Sequence, residues 1–247
     1  PTLIHESNAF PGVAVKVLSK KVNTVLVGFE DAKKRLPKAK NIVVTGTPTK
    51  INKINLTEEQ KSKIREELHI NNKLPTALVF GGSQGAESIN KCFMDIINNQ
   101  KNKDYQIIWA VGKKNYEEMR KNITNDYNAK IVPYIYNMEE MLNFADLVVA
   151  RSGAMTITEV AKCNKPAIFI PYPYATENHQ EYNAKVLANI GAAEIILDKN
   201  LNPDELNSKI TGILTNQAKL NQMSKNAGKV AIEDVQEKIY REIEKLI

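Results

Sequence analysis

Apolar runs and segments with helical spacing alternate regularly from residue 76 to the end of the chain. Six short apolar runs, each followed by such a segment, predict six β-α repeats. The predicted strands cover residues 76–80, 105–111, 130–135, 146–150, 166–170 and 193–197, and the helices that follow them cover 86–99, 115–123, 138–144, 155–163, 177–189 and 203–214. The runs are continuously apolar, as in strands buried on both faces. The pattern therefore predicts an α/β fold with a parallel sheet covered by helices on both sides.

The preceding residues and the end of the chain add further elements. Runs 2–5, 23–28 and 41–45 predict three strands, and residues 12–20 predict a helix between the first two; three strands are too few for a doubly wound domain. Residues 47–53 are polar and predict a linker. Thr57 and Gln60 form a capping-box pattern that begins a helix reaching about residue 68. Helices at 217–227 and 232–246 finish the chain, and the apolar stripe of the last predicts that it packs against another element.

Residues 151–184 bring several polar groups to one edge of the predicted sheet. Two helix starts follow strands there, and the carboxyl ends of parallel strands are where α/β folds bind ligands. Helix N-termini offer free N–H groups and a positive dipole end, so an anionic ligand is favoured. This stretch is predicted to hold a phosphorylated nucleotide or sugar.

The glycine-rich sequence GGSQGA at 81–86 follows the first strand of the repeat region and opens a helix. Glycines allow a tight turn and a close approach of a ligand to backbone N–H groups. The sequence lacks the GKS or GKT of a P-loop. The next strand ends in Gly112-Lys113-Lys114 without the acid of a dinucleotide fold. A nucleoside diphosphate held without a Walker loop remains, and the alternative is a glycine turn that serves only the fold.

Two clusters permit both an ordinary and a functional interpretation. Thr156 and Glu159 form a second capping-box pattern, with Thr156 as the cap; alternatively, Glu159 faces the ligand crevice and accepts two hydrogen bonds from a ribose diol. The polar residues 177–180 and Asn183 either bind sugar hydroxyls or form a capped polar loop.

Charge and composition narrow the class of protein. The net charge is +6, but residues 1–53 alone carry ten Lys/Arg against three Asp/Glu. Such a segment fits contact with anionic lipid or nucleic acid, or else a solvated lysine-rich face. Cys92 and Cys163 lie far apart in the sequence, so a disulfide framework is not expected and a reducing compartment is favoured. Both cysteines are predicted to be small apolar residues of the core. No apolar run approaches the roughly 20 residues of a membrane span. The histidines lack metal-ligand spacing, so no metal site is predicted.

Six segments together resemble the MurG family of bacterial glycosyltransferases. They are HESNAFPG at 5–12, VTGTPTK at 44–50, VFGGSQGAESIN at 79–90, VPYIYNM at 132–138, ADLVVARSGAMTITEVA at 145–161 and NHQEYNA at 178–184. The family transfers N-acetylglucosamine (GlcNAc) from UDP-GlcNAc to undecaprenyl-pyrophosphoryl-muramyl-pentapeptide (lipid I), which gives lipid II for peptidoglycan synthesis. The resemblance implies a B-type glycosyltransferase with two Rossmann-like halves and chemistry without a cofactor or metal.

The resemblance also implies a domain organisation and a location. Residues 1–50 resemble the end of the N-terminal half, which faces the acceptor and the membrane, and 51–56 form a linker. Residues 57–230 resemble the donor-binding half, and the helix at 231–247 returns to the first half. The expected partners are UDP-GlcNAc, lipid I, an anionic membrane surface and other cell-wall synthesis proteins, with no nucleic acid. The expected location is the cytoplasmic side of the cell membrane, with peripheral attachment.

The resemblance also implies roles for individual residues of these segments. Ser83 resembles the residue on the donor phosphates, and Ile135 the position whose backbone contacts uracil. Ala154, Met155, Thr156, Ile157, Thr158 and Glu159 resemble the segment around the nucleotide, with Glu159 on the ribose. Gln180 and Asn8 resemble contacts to the donor sugar. Lys50 stands where the family usually has Arg, which would remove a bidentate phosphate contact.

The family's glycine-rich loop near its start, which carries a His often proposed as catalytic base, has no counterpart in this sequence. His5 is the nearest substitute. Because Pro1 is followed at once by a predicted strand, we expect the chain to begin within a fold. Two alternatives to the transferase therefore stay open: a UDP-sugar-binding half that is active only with a partner, and a UDP-sugar epimerase of the same architecture.

Overall fold

The computed structural model describes residues 1–71, 73–82, 84–126 and 128–247, and it contains two parallel sheets. The smaller sheet has the order β1-β2-β3. Its strands are β1 (Leu3–Glu6), β2 (Thr24–Val27) and β3 (Ile42–Val44). Leu3 lies opposite Thr24, and Val25 lies opposite Ile42. The three strands predicted before the linker are thereby confirmed.

The larger sheet has six parallel strands in the order β6-β5-β4-β7-β8-β9. They are β4 (Thr76–Phe80), β5 (Gln106–Ala110), β6 (Ala129–Val132), β7 (Leu147–Ala150), β8 (Ala167–Phe169) and β9 (Ala193–Ile195). Strands β5 and β6 lie on one side of β4, and strands β7, β8 and β9 lie on the other side. The strand order therefore reverses between β4 and β7, where doubly wound sheets open a ligand crevice.

Helices cover the sheets and connect their strands. They are α1 (Val13–Leu18), α2 (Glu58–Leu68), α3 (Glu87–Asn98), α4 (Tyr116–Asn122), α5 (Met138–Phe144), α6 (Ala154–Lys162), α7 (His179–Ala188), α8 (Pro203–Leu214), α9 (Gln217–Ala227) and α10 (Val235–Glu244). Short 3₁₀ turns at Glu30–Arg35, Thr176–Asn178, Asp198–Asn200 and Gly228–Val230 complete the described elements.

Local sequence signals set some of these boundaries and not others. The capping box of α2 is confirmed, because Thr57 Oγ1 accepts from the Gln60 N–H and Gln60 Oε1 accepts from the Thr57 N–H. The second predicted capping box is wrong: Gly153 is the cap of α6, so Thr156 lies inside its first turn. The last helix begins at Val235 rather than at residue 232.

The buried side chains form a layer on each face of the large sheet. Along β4, Leu78 and Phe80 join one apolar cluster, whereas Ala77 and Val79 join the other. Because both faces are covered, no position of the strand needs to be polar, and this explains the continuously apolar runs. A smaller cluster that includes Val25 and Leu36 packs against the three-stranded sheet. Both cysteines are free and buried, as predicted.

Among the described residues, contacts at α7 and at α10 join the two sheets. Asn183 of α7 is fully buried and accepts the Ala9 N–H through Oδ1 at 2.8 Å. The rings of Phe10 and Tyr182 stack with centroids 4.5 Å apart. On the other side, Val235 at the start of α10 packs against Gly46, which follows β3. In the described part of the chain, every helix is too short or too polar to cross a bilayer.

Candidate active site

A cleft of about 630 Å³ opens at the carboxyl ends of β4 and β7, where the strand order reverses. Its walls come from the glycine loop after β4, the start of α6, the loop after β8 and the start of α7. The lining residues are Gly81, Gly82, Gly85, Ala86, Glu87, Ser88, Lys91, Arg151, Gly153, Thr156, Tyr172, Pro173, Tyr174, Gln180 and Asp198. The edge predicted from residues 151–184 is thus the edge that carries a ligand-sized cleft.

The glycine loop is pressed against the end of β5. Gly85 has φ +79°, and a Cβ there would lie 2.2 Å from the Val111 carbonyl oxygen. Gly112 has φ +90°, and a Cβ there would lie 2.6 Å from the Gln84 carbonyl oxygen. Side chains are excluded at both positions, so the loop backbone lies directly on the wall of the cleft. Ser83, predicted on the donor phosphates, lies outside the described residues.

The start of α6 supplies backbone donors to the same cleft. The first helical hydrogen bond runs from the Ile157 N–H to the Gly153 carbonyl at 3.1 Å. The N–H groups of Ala154, Met155 and Thr156 precede it, and no side chain of the described residues caps this end. Thr156 itself lines the cleft. Free N–H groups at a helix N-terminus favour an anion, which agrees with the predicted phosphate site.

Gln180 lies in the first turn of α7 and lines the cleft opposite the glycine loop. Its Oε1 accepts the Tyr172 N–H at 3.0 Å, and its carbonyl accepts Ser152 Oγ–H at 2.8 Å. These two bonds tie the side chain and backbone of Gln180 to the ends of two neighbouring strands. The residue predicted to contact the donor sugar is therefore held at a defined position on the wall.

Arg151, Asp198 and Ser88 line the cleft together. Arg151 begins the stretch predicted to hold the ligand but was given no role of its own, and Asp198 and Ser88 were not assigned to the site. Arg151 donates to the carbonyls of Ile170 at 3.0 Å and Pro171 at 3.1 Å and pairs with the Asp198 carboxylate. Ser88 Oγ accepts from Arg151 at 2.9 Å and donates to Asp198 at 2.7 Å. A mostly buried guanidinium is thus paired and cross-links three strand ends. The available signal was a single Arg directly after an apolar run.

Glu159 contacts Thr49 of the segment that links the two sheets and is not among the residues that line this cleft. Its Oε1 accepts a hydrogen bond from Thr49 Oγ1 at 3.0 Å, and the Ile51 N–H in turn donates to Thr49 Oγ1 at 3.1 Å. Burial raises the pKa of the Glu159 carboxyl above its usual value, and the Thr49 hydrogen bond opposes that rise. The ribose contact of Glu159 stays a prediction.

The other residues of the predicted nucleotide segment lie on different sides of α6, and some are exposed whereas others are buried. Met155 is 41% exposed, whereas Ile157 is buried in the core. Thr158 donates to the Ala154 carbonyl at 3.0 Å and lines a smaller cavity with Thr49. Ile135, beyond β6, is buried through its side chain, so a ligand at this edge would meet its backbone.

The polar cluster at 177–183 contributes one side chain to the cleft, Gln180. Asn183 donates to Asn8 Oδ1 at 3.0 Å and to the Ser152 carbonyl at 3.2 Å, and Glu177 pairs with Lys16 at 2.9 Å. Asn8 is therefore bound to Asn183 at the junction of the two sheets. These side chains hold the two sheets together, which sequence spacing alone did not distinguish from sugar binding.

Two further predicted residues lie away from the cleft. Lys50 is exposed, and its carbonyl accepts from Asn52 at 3.2 Å. His5 Nε2 lies 2.9 Å from the Gly46 carbonyl oxygen, so this nitrogen carries a proton and donates to that oxygen. Ser7 Oγ lies 3.4 Å from Nδ1. His5 thus connects β1 to the turn after β3.

Comparison with known proteins identifies the family of the chain. Residues 76–239 match the glycosyltransferase family 28 C-terminal domain. The chain is 40% identical over its whole length to the UDP-N-acetylglucosamine–N-acetylmuramyl-(pentapeptide) pyrophosphoryl-undecaprenol N-acetylglucosamine transferase of Acetivibrio thermocellus, of which it covers 67%. It is 38% identical to the enzyme of the same name from Ruminiclostridium cellulolyticum, of which it covers 68%.

A solved structure gives the same result. The crystal structure of Acinetobacter baumannii MurG matches 99% of this chain with a TM-score of 0.80 and 29% identity, and the match covers 68% of that chain. The chain thus spans about two thirds of the length of the relatives it matches. The predicted resemblance and the B-type glycosyltransferase fold are confirmed. The chain belongs to glycosyltransferase family 28 and, within it, to the MurG family of N-acetylglucosamine transferases.

Proposed function

We propose that the chain is a hexosyltransferase that moves GlcNAc from UDP-GlcNAc to lipid I and forms lipid II in peptidoglycan synthesis. The observation that carries this proposal is the cleft between β4 and β7, which combines a glycine loop, an uncapped helix start and Gln180 on one strand edge. The printed names of the relatives supply the donor and acceptor, and the family match supplies the reaction class.

The donor would lie across the point where the strand order reverses. Its diphosphate fits between the loop at 81–86 and the α6 N-terminus, where backbone N–H groups meet the anion. The nucleoside would extend toward Ile135 and the nucleotide segment that ends in Glu159. The sugar would extend the other way, toward Gln180.

In the proposed reaction the C4 hydroxyl of the muramyl sugar attacks C1 of GlcNAc on the face opposite UDP. The new C1–O bond forms as the bond to the diphosphate oxygen breaks, so the sugar carbon inverts and UDP leaves with the electron pair, while the proton of the attacking hydroxyl is released to water. Negative charge grows on the leaving diphosphate. Fixed N–H dipoles of the loop and of the α6 start stabilise that charge without having to reorient during the reaction. His5 is not assigned as the base, because its Nε2 is bonded to the Gly46 carbonyl.

Titration calorimetry with UDP tests the donor site, and a lipid I analogue tests the transfer. We expect UDP to bind the chain and Glu159→Ala to weaken that binding by about tenfold, the effect of losing hydrogen bonds to a charged acceptor. Glu233→Ala, an exposed acid beside the last helix, is the control. Unchanged UDP affinity in Glu159→Ala would refute the ribose role.

The turnover assay separates the alternatives. GlcNAc appearing in the lipid product supports the transferase. Tight UDP-GlcNAc binding without turnover would instead indicate a binding half that needs a partner, and radiolabel in a free epimer would indicate an epimerase.

We also propose that residues 1–50 and the helix at 231–247 form the acceptor side and that residues 57–230 form the donor half. The basic N-terminal segment supports peripheral attachment to the cytoplasmic face of the cell membrane, where an undecaprenyl acceptor lies in an anionic bilayer. Other cell-wall synthesis proteins would be partners at the same surface.

A further inference from the structure

Two tyrosines stand on the lip of the cleft, in the loop that follows β8. Tyr174 is 82% exposed and Tyr172 is 44% exposed, yet both line the cleft. Their rings meet edge to face, with centroids 5.6 Å apart and planes at 73°. Large aromatic side chains on the wall of a cleft leave apolar area in water that a ligand can cover.

The pair is held in place by groups of the site itself. The Tyr172 N–H donates to Gln180 Oε1 at 3.0 Å, and the Arg151 guanidinium lies over the Tyr172 ring, 5.6 Å from its centroid. The Ala175 N–H closes the loop onto the Tyr172 carbonyl at 3.2 Å. Tyr172 is therefore fixed by Arg151 and Gln180, and it supports Tyr174, whose ring remains largely open.

The position of the pair along the cleft indicates which part of a ligand it meets. The phosphate-binding groups lie between β4 and β7, and the pair lies on the β8 side of them, beside Gln180. On the β5 and β6 side, a second pair, Tyr134 and Tyr136, packs around Lys113 next to Ile135. A nucleoside diphosphate sugar anchored at its phosphates would place its base at one end and its sugar at the other.

We propose that Tyr174, supported by Tyr172, is a platform for the pyranose ring of the donor sugar. The C–H-rich face of the ring, with the acetamido methyl of GlcNAc, would cover the exposed Tyr174 ring, while Gln180 meets the hydroxyl edge. An aromatic face suits this pairing because a pyranose has one apolar side and polar edges. The inference rests on the proposed UDP-GlcNAc site and adds a contact that acts on the sugar and not on UDP.

Calorimetry with two probes, UDP and UDP-GlcNAc, tests the platform. Tyr174→Ala should lower the affinity for UDP-GlcNAc by roughly tenfold, the effect of losing about 50 Å² of apolar contact, and should leave UDP affinity unchanged. Tyr174→Phe keeps the ring and should bind both ligands like the parent chain. Tyr240→Ala removes an exposed tyrosine on α10, away from the cleft, and serves as the control.

The outcomes separate this inference from the function on which it rests. A loss confined to UDP-GlcNAc in Tyr174→Ala, restored in Tyr174→Phe, supports the platform. Equal losses for both ligands, or none, would overturn the platform and leave the proposed function standing. A parent chain that binds neither UDP nor UDP-GlcNAc would overturn the proposed function, and the platform with it.

Discussion

At the scale of single residues, the hydrogen bond between Thr49 and Glu159 ties the predicted linker to the nucleotide segment of the site. The Thr49 hydroxyl accepts from the Ile51 N–H and donates to the Glu159 carboxylate, so its orientation is fixed from both sides. Burial raises the pKa of Glu159, and this hydrogen bond stabilises the ionised form against that effect. One uncharged side chain therefore favours the ionised form of Glu159 against the effect of burial.

Replacing Thr49 by Val keeps the shape and removes the donor, so the pKa of Glu159 should rise further. If the carboxylate accepts from ribose, UDP affinity falls as the pH drops through the pKa of Glu159, and in Thr49→Val that fall should occur at higher pH. Calorimetry across a pH series measures the shift. Thr49→Ser keeps the hydroxyl and should behave like the parent chain; an unshifted profile in Thr49→Val would refute the coupling.

The same substitution should also change how the free energy of unfolding depends on pH. The pKa of this carboxyl in the folded state lies above its unfolded value of about 4.5. The free energy of unfolding is therefore at its full value below pH 4.5 and decreases as the pH rises through the folded pKa. Thr49→Val should therefore lower the free energy of unfolding more at pH 7 than at pH 4, by about 1 kcal/mol after screening is allowed for. Urea unfolding at the two pH values measures the difference, and Glu159→Gln should abolish it.

The sequence predicted residues that line the cleft where a motif sets the local backbone. Gln180 and Thr156 follow strand ends and line the cleft as expected. Arg151 was given no individual role within the stretch 151–184, because its contacts depend on distant positions such as Asp198. Asn8 was expected near the sugar but is bonded to Asn183 between the sheets. Spacing along the chain cannot tell a side chain that binds a ligand from one that joins two elements.

At the scale of elements, the capping patterns show the same limit. Thr57 precedes its helix in a free polar segment, and both bonds of the box form. Thr156 belongs to an identical sequence pattern, but Gly153 ends the strand connection three residues earlier and starts α6 there. The earlier start places free N–H groups at the cleft, where a ligand can take the role of the missing cap. The geometry of the strand-to-helix turn, and not the local capping pattern, therefore determines where α6 begins.

The glycine loop gives the clearest prediction at this scale. Gly85→Ala places a Cβ 2.2 Å from the Val111 carbonyl at φ +79°, so the loop must move away from β5. We expect a loss of about 1–3 kcal/mol in the free energy of unfolding and UDP binding too weak for calorimetry to detect. Gly212→Ala is the matched control, since a Cβ at this position in the last turn of α8 meets nothing within 4 Å. The control should be stabilised by about 0.5–1 kcal/mol and bind UDP normally; normal UDP binding by Gly85→Ala would refute the required loop geometry.

At the scale of the whole molecule, the two parallel sheets meet through two kinds of contact. Stacked rings and an amide hydrogen bond join them at α7, and apolar side chains of α10 pack against Gly46. The β-α pattern predicted the larger parallel sheet, and three short runs predicted the strands of the smaller one. It could not predict their relative placement, because that depends on side chains such as Asn183 and Phe10 that are far apart in the sequence. The apolar stripe of the last helix gave a partial signal: it predicted packing but not the partner.

The surface around α1 carries the last prediction. Val13, Val17 and Leu18 are exposed on this helix, and Lys20 and Lys21 follow it on the same basic segment. Exposed apolar side chains beside lysines fit the interface of an anionic bilayer, where each lysine contributes about 1 kcal/mol. Co-sedimentation with vesicles should therefore increase with their anionic lipid content. Replacing both lysines by Glu should weaken that binding by at least roughly thirtyfold, whereas the same change at the exposed Lys73 and Lys103 should have little effect. Binding that ignored anionic lipid, or equal losses in both double variants, would contradict a membrane-facing α1 and leave the basic segment as a solvated surface.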